Sequence, residues 1–241
     1  MRNELVLLAE KPLRALRSGR FWLSPLVAKF SPRRGVIMRA YRLEEEGRFD
    51  EALDAWKGLE SQERFGADSS PHALRCARLA LRAERYSESV KRFEDILSRR
   101  PGEPQVLRGL ENASLRGARD AQSKGQWLDA CRMWGAYHRA GGDIEKCVRN
   151  LGDCARYVAQ SADSVEKMGE ALEAWRLLKS TDPYSQEAQQ GLEWCHLSLA
   201  RAAERSSDFA VARTHWNALL ELSPDDQRAI DGLRRLNMAD V

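Results

Sequence analysis

The chain has 241 residues, of which 43% are hydrophobic and 31% charged, and a formal net charge of +3; this apolar content is enough for a folded core and excludes a disordered tail. With 8 prolines and 16 glycines, turn-forming residues are too few for a sandwich or barrel with many tight β-turns. A mean hydropathy of -0.57 and the lack of any apolar run near the roughly 18 residues that span a bilayer exclude an ordinary transmembrane helix. The sequence therefore predicts an all-α protein.

The first 32 residues form a basic segment, which we call the N-terminal arm. Residues 1–40 hold nine basic and two acidic residues, whereas the rest of the chain has 30 basic against 34 acidic residues. The apolar stretch Leu5–Ala9 is too short for the core of a signal peptide, so we expect a cytoplasmic protein. Prolines at positions 12, 25 and 32 keep the arm from forming one long helix.

Two interpretations of the arm stay open. Its basic and aromatic residues suit an anionic membrane surface, which would place the protein peripherally at the inner face of a membrane. Alternatively, its apolar side chains pack on the first helical hairpin while the arginines extend into solvent. We favour this cap, because the ends of repeat arrays need covering. The candidate membrane- or partner-binding residues of the arm are Arg14, Arg17, Arg20 and Trp22.

After the arm, a pattern recurs five times: a bulky residue, a small residue three positions on, and an aromatic residue four positions after that. The small residues are Ala52, Ser89, Ala130, Ala171 and Ala212, and the closing aromatics are Trp56, Phe93, Trp134, Trp175 and Trp216. The last three intervals are 41 residues each. An alanine stands twelve residues before each small residue, and proline or glycine stands eight residues after four of the aromatics, where it ends a helix. Each copy is predicted to be a helix, a turn and a second helix.

This pattern resembles the tetratricopeptide repeat (TPR) family, most clearly in Gly47–Trp56 and Arg85–Phe93. The resemblance covers residues 33–225 and implies five antiparallel hairpins in a right-handed superhelical solenoid. The period of 41 exceeds the usual 34 or so, which predicts longer first helices in copies three to five, and the fourth copy is predicted to insert Ser161–Glu166 between its helices. Residues 226–241 are predicted to form a C-terminal capping helix.

The sequence contains no arrangement of residues that indicates catalysis. No phosphate-binding or dinucleotide-binding glycine motif is present, and the pair Cys147 and Cys154 lacks the spacing and the histidine of a zinc site. The adjacent Cys195 and His196 would point apart on a helix. We therefore expect buried, reduced cysteines, no enzymatic activity, no metal and no cofactor.

The TPR resemblance implies that the first helices of the hairpins line a groove that binds peptides. Residues at matching positions would give this groove a basic and partly aromatic lining, and arginine suits an acidic partner. The same arginines could instead form a solvated face, paired with local Glu and Asp. The candidate groove residues are Tyr41, Arg78, Arg116, Arg119, Arg156, Tyr157, Trp194 and Arg201.

The sequence thus predicts a non-enzymatic adaptor or scaffold that binds a protein or peptide partner, with an acidic partner favoured. The alternative is an accessory or regulatory subunit of an enzyme system, such as one for cell-surface polysaccharide synthesis, held near a membrane by the arm. Nucleic acid is not an expected partner, since the basic run is short and the body of the chain is acidic.

Overall fold

The computed structural model describes residues 32–61 and 72–239, and all regular secondary structure in these ranges is α-helical. The chain divides into two compact units, residues 1–72 and 73–241. Eleven helices are described in total. The all-α prediction is confirmed.

The first unit contains one described hairpin, α1 (Pro32–Glu45) and α2 (Phe49–Ser61). Ala40 and Leu43 of α1 are buried, as are Ala52 and Trp56 of α2, so small residues lie where the two helices approach each other. The indole Nε1 of Trp56 donates a hydrogen bond to Glu44, 2.7 Å away. The small residues and the closing aromatic therefore have the roles that the repeat predicts.

The second unit consists of four hairpins followed by one helix, and each helix packs against the next along the chain. The contacts of every helix are thus mainly with its neighbours in sequence, as in other stacked repeats. The helices are α3 (Ala73–Arg82), α4 (Tyr86–Arg99), α5 (Pro104–Ser123), α6 (Trp127–Arg139), α7 (Ile144–Gln160), α8 (Val165–Thr181), α9 (Gln186–Arg205), α10 (Phe209–Leu222) and α11 (Gln227–Ala239).

The ends of these helices have local causes. Pro101, Gly142, Pro183 and Pro224 each follow the end of a second helix by a few residues, where proline and glycine stop helical hydrogen bonding. The starts of five helices are capped by a side-chain oxygen, and the caps are Asp143, Ser164, Ser185, Asp208 and Asp226. The predicted lengthening is confirmed, since α5, α7 and α9 have 20, 17 and 20 residues against 10 in α3.

The turn inside the fourth copy differs from the prediction. Residues Ser161–Glu166 are not an insertion between the helices, because Ser164 caps α8 and the helix begins at Val165. Since the repeat keeps its period of 41 there, the turn has moved toward the N-terminus, so that α7 is shorter than α5 and α9. The other turns place one residue in the left-handed region, which favours glycine; these residues are Gly47, Glu84, Gly125 and Ser207.

Most buried apolar residues of the second unit lie in two clusters. The larger one extends from Ala73 to Leu199 and contains Phe93, Trp134 and Trp175. The smaller one lies at the C-terminal end and contains Ala200, Trp216, Leu219, Ala229 and Leu236. Helix α11 thus packs on the last closing aromatic, Trp216.

The closing aromatics also pack closely on glycines of the following helix. A Cβ added to Gly109, Gly191 or Gly232 would lie 2.4 Å from the ring of Phe93, Trp175 or Trp216 respectively. Each glycine follows its aromatic by sixteen residues. An aromatic ring here lies against helix backbone, and a side chain larger than hydrogen would push it away.

Candidate partner-binding face

The predicted groove residues of the second unit lie on first helices. Arg78 is on α3, Arg116 and Arg119 on α5, Arg156 and Tyr157 on α7, and Trp194 and Arg201 on α9, all with exposed side chains. Tyr41 lies on α1 in the first unit, half-buried, with its ring edge-on to that of Trp56 at 5.3 Å. We call the exposed side of α5, α7 and α9 the first-helix face.

Three of the predicted arginines are engaged with neighbouring side chains. Arg116 lies 3.6 Å from a carboxylate oxygen of Glu84 and 5.4 Å above the ring of Tyr86. The Arg78 guanidinium donates to the side-chain oxygen of Gln105, 3.0 Å away. Arg116 therefore fits the interpretation of a solvated, locally paired face.

Arg156 fits that interpretation as well. Its guanidinium forms ion pairs with Asp153 on its own helix and with Glu187 on α9. Hydrogen bonds to the two carboxylates raise the pKa of Arg156. The charge of this arginine is thus neutralised within the chain.

Arg119 and Arg201 differ, because neither forms a hydrogen bond or ion pair in the described part of the chain. Arg78 reaches a residue 27 positions on. The residues 27 positions after Arg119 and Arg201 in the sequence are Lys146 and Arg228, which are basic and offer no carboxylate. The two arginines are therefore free to pair with an acidic group from outside the chain.

Three further arginines on these helices, which are not among the predicted groove residues, also have no ion pair among the described residues. They are Arg108, Arg149 and Arg205. Arg108 and Arg149 occupy the same repeat position, one period of 41 apart. The period could have identified them, but whether a carboxylate lies beside them depends on the packing of the next helix.

The two aromatic candidates have different surroundings. Tyr157 stacks on Trp127 with the ring centroids 4.3 Å apart and an interplanar angle of 15°. Trp194 makes no aromatic contact in the described residues and is 42% exposed. By contrast, the closing tryptophans are at most 5% exposed, so they belong to the core.

The arm residues Arg14, Arg17, Arg20 and Trp22 lie outside the described residues. Their roles as a cap or a membrane anchor stay predictions. In the described ranges, no helix is both long and apolar enough to cross a membrane.

All five cysteines are buried and none is in a disulfide. Burial raises the pKa of Cys195 to about 12 and that of Cys147 to about 11. The side chains of Cys131 and Cys154 interact with each other, which raises the pKa of Cys131 and lowers that of Cys154. The predicted packing role of Cys147, Cys154 and Cys195 agrees with this burial.

Two histidines on neighbouring helices form a pair. The Nδ1 atoms of His196 on α9 and His215 on α10 lie 3.1 Å apart, so one imidazole donates a hydrogen bond to the other. Burial, His215 and Arg176 of α8 lower the pKa of His196 to about 4. Burial and Arg176 also lower the pKa of His215. The fold thus favours the neutral form of both rings.

This pair should make the protein less stable in mild acid. The unfolded chain takes up protons as the pH falls through about 6.5, whereas His196 in the folded chain resists protonation until about pH 4. Its contribution to stability is therefore present above pH 6.5 and is lost progressively as the pH falls toward 4. Urea unfolding at pH 7 and pH 5 measures this loss.

The matched variants are His196→Gln with His215→Gln, and His138→Gln. The double variant should lose less stability between the two pH values than the wild type, and the single variant should behave like the wild type. Equal losses in all three proteins would contradict the role of the pair.

No group of three or more His, Cys, Asp or Glu side chains suited to a metal ion occurs in residues 32–61 and 72–239.

The chain is an all-α repeat protein of helical hairpins, with basic and aromatic side chains on the exposed side of its first helices. Its small residues, closing aromatics and helix-ending prolines resemble those of TPR hairpins.

Comparison with known proteins gives low overall similarity. No protein-family model matches the chain, and no curated protein matches it. The chain is 17% identical to a thermophilic TPR protein from Thermus thermophilus, with 86% of this chain and 98% of that chain covered and a TM-score of 0.31.

Two further solved structures have comparable values. For MamA 41-end from Desulfovibrio magneticus, the identity is 17%, the coverage is 81% of this chain and 97% of that one, and the TM-score is 0.29. For a tetratricopeptide repeat protein from Parabacteroides merdae, the identity is 13%, the coverage is 86% and 72%, and the TM-score is 0.29.

Proposed function

We propose that this chain is a non-enzymatic interaction scaffold whose first-helix face binds an acidic segment of a partner protein. The observation that carries the proposal is the set of arginines on α5, α7 and α9 that have no ion pair within residues 32–61 and 72–239. They are Arg108, Arg119, Arg149, Arg201 and Arg205.

The two kinds of helix differ in their unpaired charges. On α5, α7 and α9, five arginines have no hydrogen bond or ion pair within the described chain. Among the acidic residues of these helices, the same is true of two, Glu111 and Glu145. On the second helices, the numbers of acidic and basic side chains without an ion pair within the described chain are more nearly equal. On α4, α6, α8 and α10, four acidic and three basic residues lack an ion pair: Asp95, Glu166, Glu170, Glu221, Lys91, Arg176 and Lys179. The first-helix face therefore has the excess of available positive charge.

This excess favours an acidic ligand for a physical reason. A carboxylate that approaches an unpaired guanidinium gains a charge-assisted hydrogen bond without breaking one inside the protein. Each exposed pair contributes only about 0.2–1 kcal/mol, so several arginines must act together. Long-range attraction also raises the association rate and falls with added salt.

Fluorescence anisotropy with two labelled decapeptides tests the proposal. One peptide alternates Glu and Ser, and the other alternates Lys and Ser. The wild type should bind the acidic peptide, weaken as salt rises, and show no comparable binding of the basic peptide.

The charge-removal variant combines Arg119→Gln, Arg149→Gln and Arg201→Gln, one on each first helix of the face. We expect it to bind the acidic peptide about tenfold more weakly, or by about 1.4 kcal/mol, and with a flatter salt dependence. The matched control combines Lys91→Gln, Arg176→Gln and Lys179→Gln, which removes three unpaired charges from second helices. Equal losses in the two variants, or equal binding of both peptides by the wild type, would contradict the proposal.

A further inference from the structure

Exposed large apolar side chains are unevenly distributed along the second unit. Among the described residues, none lies between positions 73 and 143, whereas seven lie between 144 and 211. Trp194 of α9 is one of these, 42% exposed. An indole that is open to solvent in the middle of a 20-residue helix is a candidate contact point for a partner.

Trp194 shares its side of α9 with Arg201. Seven residues along a helix make nearly two full turns, so both side chains project to the same side with an axial separation of about 10.5 Å. Both are exposed, and Arg201 has no ion pair in the described chain. The helix thus presents an apolar point and a cationic point at a fixed distance.

The carboxylates of α9 do not neutralise this arginine, because all three are engaged elsewhere. Glu187 pairs with Arg156, and Glu193 accepts a hydrogen bond from the Ser223 hydroxyl at 2.5 Å. Glu204 accepts from the Trp216 indole at 2.9 Å and from Arg235 at 3.1 Å. The side of α9 that carries Trp194 and Arg201 is therefore complementary to negative charge.

We infer that Trp194 and Arg201 form a two-point site for an acidic segment in the polyproline-II conformation, in which an apolar residue is followed three positions later by Glu or Asp. A polyproline-II chain has three residues per turn and advances about 3.1 Å per residue, so side chains three positions apart lie on the same side, about 9 Å apart, close to the distance along α9. The apolar side chain packs on the Trp194 indole, and the carboxylate pairs with the Arg201 guanidinium. This inference rests on the proposed function and specifies its ligand.

Three labelled peptides of equal composition test the site by fluorescence anisotropy. Each contains one Phe and one Glu in a Gly/Ser background, with the Glu one, three or six positions after the Phe. We expect the three-position peptide to bind at least about fivefold more tightly than the other two. With this peptide, Trp194→Ala should weaken binding about tenfold, and Arg201→Gln about three- to fivefold, as expected for one exposed ion pair.

Matched controls separate the site from general stickiness. Tyr184→Ala removes a 92% exposed aromatic ring from the loop before α9, and Lys179→Gln removes an unpaired cation from α8. Neither should change the affinity more than about twofold. A peptide with Ala in place of Phe should be insensitive to Trp194→Ala, and circular dichroism should show an unchanged fold in every variant.

The outcomes distinguish this site from the broader proposal. If the three peptides bind equally, or if Trp194→Ala has no effect while the triple arginine variant still weakens the Glu/Ser peptide, the two-point site is wrong and the acidic-partner proposal stands. If no acidic peptide binds, both are wrong. If light scattering shows a dimer that Trp194→Ala converts to a monomer, a second copy of the chain covers this side of α9, and the two-point site is again wrong.

Discussion

Truncation of Trp175 to alanine is expected to lower the free energy of unfolding by about 3–5 kcal/mol. The indole is 5% exposed and belongs to the larger apolar cluster, and its Nε1 has no hydrogen-bond partner in the structure. The loss is therefore one of packing and apolar burial, because no hydrogen bond is broken. Urea unfolding followed by circular dichroism at 222 nm measures it.

Trp194→Ala is the matched control, since it removes the same side chain from an exposed position on α9. We expect it to change the stability by less than about 1 kcal/mol. Similar losses in the two variants would show that the closing aromatics are not the main packing elements between hairpins.

Gly191→Ala is expected to destabilise the protein by about 2 kcal/mol. The new methyl group would lie 2.4 Å from the Trp175 indole, and overpacking of this kind costs about 1–3 kcal/mol or more. Alanine has the higher helix propensity by about 1 kcal/mol, which offsets only part of the strain. Urea unfolding of the variant gives the net value.

Two companion variants isolate the steric cause. Gly169 lies inside α8 with nothing within 4 Å of an added Cβ, so Gly169→Ala should stabilise the protein by about 0.5–1 kcal/mol. In a Trp175→Ala background the ring is absent, and Gly191→Ala should no longer destabilise. If Gly191→Ala stabilises the wild type as Gly169→Ala does, the close contact between the ring and the helix does not exist.

The hairpins are predictable from the sequence because their determinants are local. The small residue, the closing aromatic and the helix-ending proline recur at fixed positions, so the positions of Ala130, Trp134 and Gly142 identify an entire second helix. The turn in the fourth copy was mispredicted because Ser164 caps α8, whereas the caps of the other copies correspond to a position three residues later. Cap chemistry, which a period alone does not report, decides between them.

The ring–glycine contacts were missed although their signal is in the sequence. Gly191 and Gly232 are 41 residues apart, but the position is occupied by Asn150 in the preceding copy. The pattern of small and aromatic residues relates positions within one hairpin, so it does not report a contact with the next hairpin. A glycine that recurs inside a helix at one repeat position, as Gly109, Gly191 and Gly232 do, indicates such a contact, because alanine would otherwise be more favourable there.

The candidate face was only partly predictable for a related reason. Arg119 and Arg156 have the same chemistry, yet one has no ion pair and the other pairs with Asp153 and Glu187. The difference depends on which side chain of the following hairpin lies opposite the arginine, and that side chain is about 30 residues away in the sequence. Repeat position alone thus identifies where arginines lie but not which of them remain available.

The division of the apolar core has a consequence for local unfolding. The boundary between the two clusters falls inside α9, between Leu199 and Ala200, so the C-terminal end of that helix, α10 and α11 share a small core of their own. Such a segment can open as one cooperative unit while most of the larger core stays buried, although Leu222 of α10 also packs against that core. Helix α9, which presents Trp194 and Arg201, therefore crosses the border between two foldons. If the smaller, C-terminal core opens, the distance between Trp194 and Arg201 is no longer fixed, while Trp194 stays in place.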